Sequence, residues 1–87
     1  MYSTKCFTDE IYGSRLKISY DADKKEFEQN TITARFLLSA FPDMDILIRE
    51  HILEYGKKNP EYLINGKIAD RKGIESEKGL LQVLKLG

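Results

Sequence analysis

His51 and Cys6, the one histidine and the one cysteine of the chain, have the most scope for chemistry. A thiol becomes a useful nucleophile when a cation, a helix N-terminus or a paired imidazole activates it. Nothing in the sequence brings these two residues together, and each has an ordinary role near at hand. Cys6 stands beside Phe7 in an apolar strand and reads as a small hydrophobe. His51 falls in the middle of an apolar stripe. A titratable ring there is a candidate for pH sensing or acid-base work, but such a histidine is more often a neutral, hydrogen-bonded core residue. A small enzyme using Cys6 and His51 is therefore the third-ranked expectation.

Paired carboxylates offer less. Asp21 with Asp23 could open a calcium loop, yet the further oxygen ligands and the bidentate glutamate are missing, so turn chemistry is the reading. Glu26 and Glu28 share one face of a short alternating stretch and read as solvent-side charges. Gly56, Gly66, Gly73 and Gly79 are spaced for turns, with no phosphate-cradling glycine pattern among them. No catalytic residue, metal site or cofactor is expected.

Basic residues gather late in the chain: Lys57, Lys58, Lys67, Arg71, Lys72 and Lys78. Residues 1–56 carry seven Lys/Arg against ten Asp/Glu, and residues 57–87 seven against four. A basic wing beside a helical pair is one way a domain touches phosphates. Solvated turns explain the same residues more simply, and the chain as a whole balances fourteen basic against fourteen acidic side chains. A nucleic-acid-binding domain using the second helix and Lys57, Lys58, Lys67, Arg71 and Lys72 is the alternative expectation.

The element that must position these residues is the stretch between Pro42 and Pro60. Met44, Leu47, Ile48, His51, Ile52 and Tyr55 fall on one face at about 100° per residue. Asp43 can cap the start, while Gly56, Lys57, Lys58 and Pro60 suit the end. This predicts a helix over about 43–58. Ile46 and Leu53 then point away from the core face, with Arg49 among the outward positions. Such an apolar pair is either covered by the rest of the chain or left for a partner.

Ahead of it, residues 2–8 and Arg15–Tyr20 read as strands, and Asp21–Lys25 as a turn into a returning strand at Glu26–Glu28. Ile32, Phe36, Leu37, Ala40 and Phe41 predict a first helix over about 31–41, capped by Asn30 or Thr31. Behind it, Asn65-Gly66 between apolar arms predicts a two-residue hairpin. Glycine-bearing turns follow at 70–73 and 76–79, and residues 80–86 form a final strand or a short helix capped at Ser76, with strand preferred.

The 87 residues thus predict one α+β domain: an N-terminal β-hairpin or meander, two consecutive helices and a C-terminal β-hairpin or meander. No run approaches the roughly 18 apolar residues of a membrane span, the first residues lack the order of a signal peptide, and a lone cysteine suits a reducing, cytoplasmic setting. The leading expectation is a small non-catalytic module that binds a protein partner or itself through Ile46, Leu53 and Arg49. A regulatory or inhibitor protein of the kind phages and mobile elements encode fits that description.

Overall fold

The protein is described from a computed structural model over residues 5–51, 59–76 and 78–81. Leu16 and Ile18 alternate with Lys17 and Ser19, the pattern of a strand with one wet face. They lie in β2 (Gly13–Ser19), which pairs antiparallel with β1 (Cys6–Asp9). The Asp9 carboxylate accepts the amides of Ile11 and Tyr12, each at 3.0 Å, and so closes the turn between the strands.

Helix α1 spans Phe27–Ala40 and starts earlier than the sequence predicts. Glu26–Glu28 is not a returning strand, because three alternating residues are outweighed by a longer helical repeat. Asn30, Ala34, Leu37 and Leu38 recur at helical spacing and are buried. Asn30 and Thr31 consequently lie inside the helix, not at its cap. The end is as expected: Phe41 is extended ahead of Pro42.

The predicted second helix is corrected over its described part. Residues Ile46–Ile48 form β3, a central strand held on one side by β2 and on the other by β4 (Tyr62–Ile64). Met44, Ile46 and Ile48 are buried at a spacing of two, so period 2 overrides the coincident 3.6 spacing of Met44, Leu47 and Ile48. The predicted helix left Ile46 stranded on its polar side, and that residue is 2 % exposed in the core. Residues 52–58, including Leu53, Lys57 and Lys58, lie outside the described residues.

Beyond β4, Asn65 and Gly66 have φ of +51° and +84°. That double left-handed turn is the one this dipeptide favours, and β5 (Lys67–Ala69) returns antiparallel. A short helix α2 (Arg71–Ile74) follows, capped by the Asp70 carboxylate, which accepts the Gly73 amide. Residues 78–81 are helical as well, and the Ser76 hydroxyl accepts the Gly79 amide at 2.9 Å. The preferred strand thus gives way to the helical alternative at its start; residues 82–87 are outside the described set.

The sheet runs β1-β2-β3-β4-β5, antiparallel throughout except for β2 and β3, which are parallel and joined through α1. The chain is an α+β domain: a strand pair, one main helix, then three further strands. Two rows of side chains form its core face, Leu16-Ile46-Ile64 and Phe7-Ile18-Ile48-Tyr62-Ala69, against Ala34, Leu37 and Leu38 of α1. The opposite face carries Thr8, Lys17, Leu47, Leu63 and Ile68 in one row across the five strands. No described helix is long and apolar enough to cross a membrane.

Candidate functional site

A helix packed on a sheet buries one stripe and normally covers the other with polar groups. On α1 the stripe of Asn30, Ala34, Leu37 and Leu38 faces the sheet, which turns Ile32 and Phe36, one helical turn apart, outward. Ile32 is 52 % and Phe36 69 % exposed. They form an apolar ridge, and a groove runs along each flank.

One groove, of about 530 Å³, separates the ridge from the C-terminal elements. Ile32, Phe36, Leu37, Ile74 and Leu80 supply its apolar wall, and Thr33, Glu75 and Ser76 its polar rim. Capping by Asp70 and Ser76 sets the two short helical turns that carry Ile74 and Leu80.

The other groove, of about 740 Å³, lies between β1 and the first half of α1. Phe7, Ile18, Phe27 and Ile32 line it with Thr31, and Glu10, Glu28, Asp9 and Arg35 stand around it. Arg35 donates through Nε and Nη2 to the Asp9 carboxylate, the shortest contact being 2.6 Å. Burial alone would raise the Asp9 pKa, but the Arg35 hydrogen bond and the Tyr12 and Ile11 amides outweigh it and hold the group below its ordinary value. The Asp9 contact likewise raises Arg35. This pair is therefore ionised and internally matched, while Glu10 and Glu28 are exposed and form no ion pair among the described residues.

The residues singled out from the sequence are placed differently. Ile46 is in the core and does not face outward, and Leu53 lies outside the described residues. Arg49 is half-buried, donating from Nη1 to the Pro60 carbonyl at 3.1 Å, while its amide donates to Glu61 at 2.7 Å. Arg71 is also engaged: Nη1 donates to the Asn30 side-chain oxygen at 3.0 Å, with Glu26 and Glu75 at 3.6 and 3.7 Å. Lys67 is on β5, and Lys72 follows Arg71 on α2.

His51 follows β3. Its amide donates to the Asp21 carbonyl at 2.9 Å, and Nδ1 lies 3.8 Å from the Asp23 carboxylate. Cys6 lies on the edge strand β1, and the small groove that His51 lines with Asp23, Glu26 and Glu61 does not include it. Asp23 serves its turn, accepting the Lys25 amide at 2.9 Å. Among the described residues no group of three or more His, Cys, Asp or Glu could hold a metal ion.

Sequence reasoning placed Ile32 and Phe36 in the core stripe. The competing stripe of Ala34, Leu37, Leu38 and Phe41, at offsets of three, four and seven, was the available signal that they face outward. No family model, curated protein or solved structure matches the chain.

Proposed function

We propose that this chain is a non-catalytic binding module that holds a partner protein against the outer face of α1. The observation that carries this reading is the ridge of Ile32 and Phe36, apolar side chains in solvent with an apolar groove beside them. Burying one such side chain is worth about 1.5–3 kcal/mol. An aromatic anchor flanked by grooves, with charged groups at the rim, is the usual composition of an interface centre.

Phe36 is the more exposed of the two and lies outside the buried core. Phe36→Asp therefore leaves the thermal melt of the protein unchanged while removing capture of the partner from native lysate. Equal retention of the same protein by wild type and variant sinks the reading, as does a wild-type protein that retains nothing and stays monomeric at every concentration in light scattering.

A further inference from the structure

The groove between β1 and α1 lies under the edge of the sheet that β1 forms among the described residues. β1 is the terminal strand, and no described strand covers its outer side. The amide of Tyr20 donates to the Lys5 carbonyl at 3.2 Å, which makes Lys5 and Tyr20 a hydrogen-bonded pair. Alternation along an antiparallel ladder then makes Phe7 and Ile18 the next such pair, and Cys6-Ser19 and Thr8-Lys17 the pairs that exchange no bonds. The backbone groups of Cys6 and Thr8 therefore point away from β2, toward the outer edge, where no described strand pairs with them. Unpaired edge groups of this kind template an added strand.

A residue added opposite Phe7 projects on the same face of the sheet as Phe7, over the groove. Its surroundings there are the rings of Phe7 and Phe27, the Ile32 side chain, and the exposed carboxylates of Glu10 and Glu28. Arg35 gives its hydrogen bonds to Asp9 and reaches Glu10 only through a longer-range charge interaction, so neither carboxylate has a hydrogen-bonded cation among the described residues. Thr31 lines the same groove at 6 % exposure, and its buried Oγ1 has no hydrogen-bond partner. A helical threonine ordinarily satisfies that hydroxyl on the preceding turn.

We propose that this edge receives an extended strand of a partner protein, with a lysine or arginine seated opposite Phe7. The aliphatic stem covers the apolar wall and the cationic head meets Glu10 and Glu28, the division of labour long basic side chains allow. This rests on the reading of the chain as a protein-binding module and specifies how one flank of the ridge is used.

The test uses the whole chain, labelled with ¹⁵N, and nine-residue strand-forming peptides whose central residue is lysine, norleucine or glutamate. Expected are amide shifts centred on Cys6 and Thr8 and binding in the order lysine, norleucine, glutamate, with about three- to tenfold between the first and the last, the scale of exposed charge pairs. Glu10→Lys with Glu28→Lys reverses that order. N-methylation of alternate peptide amides, which leaves the protein untouched, abolishes binding. Absence of shifts at Cys6 and Thr8 at millimolar peptide, or an order indifferent to charge, overturns the proposal. If the double variant still captures a lysate partner that Phe36→Asp loses, the ridge remains a binding face and the strand addition is refuted.

Discussion

Arg15 reaches from β2 beneath the C-terminus of α1 and donates from Nη2 to the carbonyl of Phe41 at 2.9 Å. The same nitrogen reaches the Leu38 carbonyl at 3.2 Å, and Nε reaches that of Met44 at 3.2 Å. The last turn of α1 carries no basic residue of its own, so the cation that a helix C-terminus favours comes from a neighbouring strand. A guanidinium serves here because its fork meets several carbonyls at once. Arg15→Lys keeps the charge but loses the fork. It should lower stability by about 1–2 kcal/mol in urea unfolding, and Arg15→Met by more, since the Leu38 and Met44 carbonyls then lose the guanidinium while that of Phe41 keeps the Met44 amide.

Asp9 and Arg35 tie the tip of the first hairpin to the middle of α1. Because the folded-state pKa of Asp9 is depressed below its ordinary 3.8, its contribution is fully present above that value and is lost as pH falls through the lower folded one. Asp9→Asn should flatten the acid limb of the stability profile below about pH 4. At neutral pH it should cost about 2 kcal/mol or more, short of the upper figures for buried pairs because Arg35 is about a third exposed.

Tyr62 donates its buried hydroxyl to the Asn30 carbonyl at 2.8 Å. Burial, the largest influence, pushes its pKa well above the ordinary 10. A group whose folded pKa is raised stabilises fully below the unfolded value and loses that contribution as pH climbs beyond it. Stability of the wild type should therefore fall above about pH 10 more steeply than that of Tyr62→Phe, whose cost at neutral pH is about 1 kcal/mol. Parallel alkaline limbs in the two proteins would contradict the burial of this hydroxyl.

Asn65 combines a left-handed backbone with two bonds to Asp45. Its side-chain oxygen accepts the Asp45 amide at 2.8 Å, and its own amide donates to the Asp45 carbonyl at 2.8 Å. Asn65→Gly keeps the conformation and loses one bond, for about 1 kcal/mol. Asn65→Ala adds the left-handed penalty and should cost about 2 kcal/mol or more. Equal melting temperatures for the two variants would show that the conformation carries no strain.

Local chemistry made part of this fold legible. Asn65-Gly66 announced its own turn, and Leu16 and Ile18 their own strand, because each signal is complete within a few residues. Ile46 and Ile48 were misread because what makes them a strand is remote: β2 and β4 supply their backbone partners, and Met44 and Ile48 happen to suit either period. The ridge was misplaced for a similar reason. Ile32 and Phe36 belong to an apolar helical set as good as the buried one, and the sheet decides which set is covered. Asp9 with Arg35, far apart in sequence, had no local signature at all.

The parallel seam between Leu16 and Ile46 has a kinetic consequence. The hairpin on one side of it and the strands on the other can each begin from neighbouring residues, but the three-residue register that unites them depends on ends separated by the whole of α1. Closing such a loop is the slow kind of step in a small domain. Substitutions that strengthen the junction of α1 with Arg15 should hasten assembly, and changes at the Asn65 turn, which forms locally before the seam closes, should likewise act chiefly on the folding rate.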